Sequence, residues 1–166
     1  MSEGFPQLRQ PWPEPPEWSV LLHLGLSGGK EPEQAFEMLF EQASDLVLDG
    51  VIAQSQQQSK ELWSLRETIP LANKAIGAIC SSDISLPLSQ VPDFIDMVAP
   101  RIAKFGTLRT NCFGHLGDGN LHYNIFPPVG VAASRYQKVR DELQYEVHHL
   151  THELGGSVSA EHGVGR

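Results

Sequence analysis

Asp118-Gly119, in the stretch NCFGHLGDGNLHYNIF (111–126), constrains this chain more than any other residue pair. A two-residue type I′ turn needs positive φ at both central positions, and Asp-Gly is among the few pairs that tolerate it. Such a turn joins antiparallel strands, so an all-parallel sheet is excluded. With Asp118 and Gly119 as the turn, Gly117 pairs with Asn120, Leu116 with Leu121 and His115 with His122. The two histidines then stand directly opposite on one face, with Cβ atoms about 5 Å apart. From that separation two imidazoles can share one metal ion, whose Zn–N bonds are about 2.0–2.1 Å. Taken alone, a facing histidine pair is more often structural than metal-binding.

Helices and strands interleave around this hairpin. The apolar run WSVLLHLGL (18–26) reads as a buried strand. Lys30-Glu31-Pro32-Glu33 opens a helix, with proline in its first turn and acid at the positive end of its dipole. Ala35, Leu39, Ala43, Leu46 and Val47 make its apolar stripe, Asp49-Gly50 ends it, and Val51-Ile52-Ala53 begins a short strand. Residues 54–70 are glutamine-rich like a linker, but Leu62, Leu65 and Ile69 recur at helical spacing and predict a helix with its glutamines in water. Residues 71–82 show no clear period. DISLPL (83–88) reads as a strand ended by Pro87. Ser89 then caps a helix carrying Phe94, Val98, Ile102 and Phe105, in which Pro100 predicts a kink or an early end.

Residues 133–156 hold the clearest helix, with Val139, Leu143, Val147, Leu150 and Leu154 inward and Gly155-Gly156 as its stop. GSVSAEHGVG (156–165) begins as a strand and becomes a glycine-flanked loop. The whole is an α+β fold, an antiparallel sheet with helices mostly on one face. The proline-dense segment PQLRQPWPEPP (6–16) excludes a helix interior or central strand and reads as extended. The division is therefore a proline-rich entry segment, 1–17, and one domain, 18–166.

A net charge of −8 argues against nucleic acid or an anionic membrane as the main partner. No run approaches the roughly 18 consecutive apolar residues of a membrane span, and no secretory segment follows Met1. Cys80 and Cys112 give neither a disulfide framework nor a paired-thiol zinc spacing, which points to a reducing, cytoplasmic compartment.

The residues with chemistry gather near the chain's end. Glu161 supplies a third, oxygen ligand to His115 and His122, a two-histidine-one-carboxylate set with open positions for substrate or water. His162 beside it is a base suited to neutral pH. Adjacent side chains on a regular strand point to opposite faces, so both residues serve one site only where the strand has ended. Gly163 and Gly165 make that feasible. His148 and His152 are four apart and could chelate on a helix surface. They lack an evident third ligand, and with His149 they read as a solvated face. Arg66 by itself is a surface charge. No Gly-x-Gly pattern links a strand to a helix at the spacing of a nucleotide loop.

Four stretches, LWSLRETIP (62–70), DISLP (83–87), GHLGDGNLHYN (114–124) and GSVSAEHGVG (156–165), together resemble the C-terminal domain of FAD-linked oxidases of the vanillyl-alcohol-oxidase superfamily. They occur in the family's order and are most similar to the D-2-hydroxyglutarate and D-lactate dehydrogenase branches. The resemblance covers about residues 18–166 and implies a ferredoxin-like cap domain over a flavin ring, truncated at both ends relative to the whole enzyme. It implies a divalent metal, usually zinc, on His115, His122 and Glu161. Asn124 and Arg66 would hold the substrate's carboxylate end, and His162 would take the proton from its 2-hydroxyl as hydride leaves for FAD. The partners implied are a small D-2-hydroxy acid, the FAD-binding domain and an electron acceptor, in the cytoplasm or, in a eukaryote, in mitochondria. The chain alone is expected to be inactive.

Branch members specific for D-2-hydroxyglutarate carry a threonine four residues after the arginine and a lysine two before the aspartate. Here those positions are Pro70 and Ser81. Ser81 cannot replace a lysine's ion pair with a second carboxylate, so a monocarboxylate such as D-lactate, or a longer apolar 2-hydroxy acid, is expected to be preferred over D-2-hydroxyglutarate. The alternatives are a zinc-dependent hydrolase and a non-catalytic metal- or ligand-binding α+β module.

Overall fold

The structure, a computed structural model, describes residues 5, 8, 10–25, 27, 28 and 31–161. The chain divides into two compact units, Met1–Ala72 and Asn73–Arg166.

In the first unit, α1 (Pro32–Gln42) starts with proline at its first position, where the missing N–H has no helical partner to lose. Lys30 lies outside the described residues. The helix stops at Gln42, seven residues short of Asp49-Gly50, and Leu46 and Val47 follow in tight turns whose N–H groups donate to the Ala43 carbonyl. Ser44 and Asp45, poor helix-interior residues, sit where the helix gives way. Leu46 is 86% exposed, so the expected apolar stripe is not continued.

The described residues of 18–26 form no strand, nor does 51–53. Trp18, Val20, Leu22 and Val51 are exposed. An apolar run becomes a strand only where a partner completes its hydrogen-bond ladder, and every described ladder belongs to the second unit. The glutamine-rich stretch is helical as expected: α2 (Gln56–Ile76) buries Leu65, half-buries Leu62 and Ile69, and continues through Pro70 into residues that show no clear period. Trp12 Nε1 donates to Asp49 Oδ2 at 3.0 Å, tying the proline-rich segment to the turn after α1.

The second unit contains β1 (Cys80–Ser85), α3 (Val91–Ala103), β2 (Arg109–His115), β3 (Asn120–Phe126) and α4 (Arg140–Glu153). The sheet is antiparallel with order β1-β3-β2. Strand, helix, hairpin and helix in this sequence make the β-α-β-β-α portion of a ferredoxin-like arrangement. The α+β class with an antiparallel sheet is the one the sequence predicts.

Alternation along each strand makes two unlike faces. Cys80 and Ile84 of β1 and Leu121, Tyr123 and Ile125 of β3 join Phe94, Val98 and Ile102 of α3 and Leu143, Val147 and Leu150 of α4 in one core. Phe94 meets the Tyr123 ring edge-on at 5.7 Å. The opposite face carries Ser81, Asp83 and Ser85, then Asn120, His122 and Asn124, then Asn111, Phe113 and His115. Helices cover the first face, and the polar face holds the chemistry.

Element limits differ from the sequence reading in ways that follow local hydrogen bonding. β1 begins three residues early, because Cys80 to Ser82 pair with β3. Ser89 lies inside a 3₁₀ turn (Leu88–Gln90), and α3 starts from Gln90 without a side-chain cap. α3 runs past Pro100 to Ala103, short of Phe105. α4 spans Arg140–Glu153, preceded by a separate 3₁₀ turn (Ala133–Tyr136). Gly155 at φ +74° and the Gly156 N–H donating to Thr151 O at 2.8 Å stop α4 as expected. The expected strand at 156 reduces to one bridge, in which Ser157 and Ser85 exchange backbone bonds of 2.8 and 2.9 Å.

Candidate functional site

The hairpin at the heart of the site is looser than Asp-Gly alone suggests. β2 ends at His115, a 3₁₀ turn covers Leu116–Asp118, and Gly119 at φ +64° closes the loop. Asp118 does not take positive φ; among the described residues every left-handed position is a glycine. A four-residue loop needs one left-handed residue where a type I′ turn needs two, so Asp118 is spared that strain. The Leu86 N–H donates to Gly119 O at 2.9 Å, and a Cβ on Gly119 would lie 1.9 Å from Leu86 O.

The register shifts accordingly. His115 pairs with Asn120, and His122 pairs with Phe113. The histidines are therefore diagonal neighbours rather than directly opposed, yet still on one face. Glu161 spans the added distance. Its Oε1 lies 3.6 Å from His115 Nε2 and its Oε2 lies 3.7 Å from His122 Nε2. Two ligands of one tetrahedral zinc, each bonded at 2.0–2.1 Å, stand about 3.4 Å apart. Each imidazole Nε2 thus faces a different oxygen of the one carboxylate at nearly that spacing.

Asp83 is the residue that sequence reasoning missed as a participant. β1 pairs it with His122, and its Oδ1 lies 3.4 Å from His122 Nδ1. Oδ1 also accepts a 2.8 Å bond from Asn120 Nδ2, and Oδ2 accepts a 2.8 Å bond from the Glu161 N–H. Ligand atoms of Asp83, His122 and Glu161 all fall within 4.8 Å of one another; His115 is not in that group and meets it at Glu161. The Phe113 ring lies 4.9 Å from the His122 ring at a 38° tilt, limiting its rotation from the opposite strand. Alternation with Ile84 puts Asp83 on the polar side of its strand, but only the pairing of β1 with β3 sets that side on the histidines' face.

The substrate candidates are distributed. Asn124 is buried in the row next to His122, opposite exposed Ser81 on one side and half-buried Asn111 on the other. Its Nδ2 donates to His122 O at 3.3 Å, and Asn73 Nδ2 donates to Asn111 Oδ1 at 3.2 Å, giving an amide-rich row. Arg66 sits half-buried on α2 in the first unit. His162 lies outside the described residues. The helix histidines stand apart from the cluster: His149 Nδ1 is 3.4 Å from Glu153 and its ring stacks on Tyr145 at 5.3 Å. Burial, and then the neighbouring His152, hold His148 below the ordinary imidazole value.

No helix among the described residues is long and apolar enough to cross a membrane. Cys80 and Cys112 are free, and burial pushes their thiols up to about 11 and about 12. Neither is a candidate nucleophile at neutral pH.

Comparison with known proteins agrees with the motif pattern. The family described as FAD linked oxidases, C-terminal domain, matches residues 3–166. The mitochondrial D-2-hydroxyglutarate dehydrogenase of Rattus norvegicus is 36% identical over 160 residues, which is 95% of this chain and 29% of that protein. That of Arabidopsis thaliana, also named as mitochondrial, is 38% identical over 120 residues, 72% of this chain and 20% of that protein. D-2-hydroxyglutarate dehydrogenase of Stutzerimonas stutzeri (strain A1501) is 35% identical over 152 residues, 88% and 32%. The chain thus spans between 20% and 32% of the length of these relatives. It belongs to the family of FAD linked oxidase C-terminal domains.

Proposed function

We propose that this chain is the substrate- and metal-binding part of an FAD-dependent dehydrogenase that oxidises a D-2-hydroxy acid to the 2-oxo acid. The observation that carries the reading is the Glu161 carboxylate set between His115 Nε2 and His122 Nε2 at 3.6 and 3.7 Å. His115, His122 and Glu161 are the residues that would hold a divalent metal, with zinc the best match to two imidazoles and a carboxylate. When bound, such an ion polarises the oxygens of a 2-hydroxy acid and makes its hydroxyl more acidic.

The remaining work falls to the chain's own side chains. His162, next to Glu161 in sequence, is proposed as the base that accepts the 2-hydroxyl proton at an imidazole nitrogen. Asn124 offers its amide to the substrate from the row beside His122. Arg66 is proposed for the C1 carboxylate on its LWSLRETIP motif, since a guanidinium can grip a carboxylate with two parallel hydrogen bonds. Ser81, opposite Asn124 in the sheet, is proposed for the part of the substrate beyond the reacting carbon.

FAD fits these residues less well than the metal does. Among the described residues no glycine-rich loop joins a strand to a helix N-terminus, the usual cradle for a dinucleotide's phosphates. The family name supplies the flavin, and an FAD-binding domain and an electron acceptor are the proposed partners.

The test is dye reduction by a flavin-loaded protein containing this chain, offered a panel of D- and L-2-hydroxy acids. Activity on a D-2-hydroxy acid, removed by a chelator and restored by zinc, is expected. Chelator-sensitive ester or amide hydrolysis without flavin would overturn the proposal in favour of a hydrolase.

A further inference from the structure

We propose that Asp83 is the positioning residue of this site: it holds His122 with Nδ1–H toward its own carboxylate and Nε2 toward Glu161, and it fastens the segment that carries Glu161. The inference rests on the metal reading above and decides how Asp83 takes part, as a ligand or from behind a ligand.

The imidazole ring answers that question. Its two nitrogens point in diverging directions, so an ion at Nε2 lies on the far side of the ring from a group at Nδ1. Glu161 addresses the Nε2 atoms of both histidines, whereas Asp83 addresses His122 at Nδ1, 3.4 Å away. A carboxylate behind a metal-binding histidine is the usual means of fixing its tautomer and ring direction. The Phe113 ring, 4.9 Å from the imidazole, bounds its swing from the side opposite β1.

Both Asp83 oxygens are already engaged. Oδ1 receives Asn120 Nδ2–H and Oδ2 receives the Glu161 N–H, each at 2.8 Å. Asn120 is itself 97% buried, and its Nδ2 also donates to Ile84 O at 3.2 Å, so this amide is fixed to the strand. Two N–H donors therefore already converge on one carboxylate, which is acceptor-only when ionised, and His122 Nδ1 lies 3.4 Å from the same group. An asparagine at position 83 would turn an NH₂ group against at least one of these donors. The linkage also explains how the segment after α4, bonded to the sheet at Ser157, brings Glu161 back over the histidines.

The test uses the full chain and needs no metal for its first arm. Long-range ¹H–¹⁵N correlation of the imidazoles at pH 8 should show His122 as the Nδ1–H tautomer. Asp83→Asn should shift it toward Nε2–H. Zinc titration by calorimetry should show Asp83→Asn weakening binding about 10–100-fold with stoichiometry retained. The visible spectrum of the cobalt-substituted variant should match the parent, because the ligands are unchanged. A His122 found as Nε2–H in the parent chain would overturn the proposal even if Asp83→Asn failed to fold. A cobalt spectrum that loses a ligand in Asp83→Asn would make Asp83 a ligand and overturn it equally. A parent chain that binds no zinc while holding His122 as Nδ1–H would sink the metal reading and support the tautomer role of Asp83.

Discussion

Gly119→Ala should damage both stability and metal binding, whereas Gly117→Ala, two residues earlier in the same loop, should do neither. Gly119 sits at φ +64°, a conformation that costs an L-residue about 1–2 kcal/mol. Its added Cβ would lie 1.9 Å from Leu86 O and 3.1 Å from Leu86 C, both backbone atoms that cannot rotate away. Relief requires the loop to move off β1, which loses the 2.9 Å bond from the Leu86 N–H to Gly119 O, worth about 1 kcal/mol. The reduced freedom of the unfolded alanine chain offsets about 0.4–1 kcal/mol. The net loss is about 2 kcal/mol, which at a typical urea slope of about 1–3 kcal/mol/M moves the unfolding midpoint down by about 1 M.

At Gly117 a Cβ meets no atom within 4 Å, and its φ is not positive, so the midpoint should hold or rise slightly. Urea denaturation followed by far-UV circular dichroism measures both variants. The register that places His115 and His122 depends on this loop, so Gly119→Ala should also weaken zinc binding. A Gly119→Ala midpoint within about 0.2 M of the parent, or equal losses from both variants, would refute the reasoning.

Other outcomes follow from the same structure. Burial holds the Cys80 and Cys112 thiols up to about 11 and about 12 from a starting 9.0, so both should resist thiol reagents at pH 8 until urea unfolds the chain. The unfolded chain releases those protons near pH 9 and the folded chain does not, so stability is full below about pH 8.5 and falls as pH rises from there through about 12; a stability that rises over that window would contradict the burial argument. In a flavin-loaded protein containing this chain, Ser81→Lys should raise kcat/KM for D-2-hydroxyglutarate at least tenfold, about 1.4 kcal/mol, with no matching gain for D-lactate; steady-state kinetics on both acids decides it. His162→Asn in the same protein should lower kcat by about 10²–10⁴-fold while leaving metal content nearly unchanged, and loss of metal instead would reassign His162 as a ligand.

The sequence carried the fold class because alternation and helical period are written directly into it. Leu143, Val147 and Leu150 fall on one helical stripe, and all three are fully buried. WSVLLHLGL misled for the complementary reason: apolar content marks a wish for burial but names no partner strand, and the described part of this run has no ladder. The hairpin was legible and its register was not. Asp118-Gly119 favours a type I′ turn locally, yet the contact of Gly119 with Leu86, more than thirty residues away, helps set a longer loop. That shift turned directly opposed histidines into diagonal ones without moving either off its face.

The same limit hid Asp83. Its role depends on which β3 residue it pairs with and on where the chain returns after α4, and neither is visible in the local sequence. Motifs brought His115, His122 and Glu161 to notice because their types fit a metal. A half-buried carboxylate receiving backbone and amide donors has no such signature.

The most direct test of the metal centre is calorimetric titration of the whole chain with zinc, repeated on His122→Ala, Glu161→Gln and His152→Ala. One zinc per chain is expected, bound more weakly than in a four-ligand structural site. His122→Ala and Glu161→Gln should weaken it at least 100-fold, while His152→Ala leaves it unchanged. Loss of zinc in His152→Ala, with binding intact in His122→Ala, would move the metal to α4 and contradict the site.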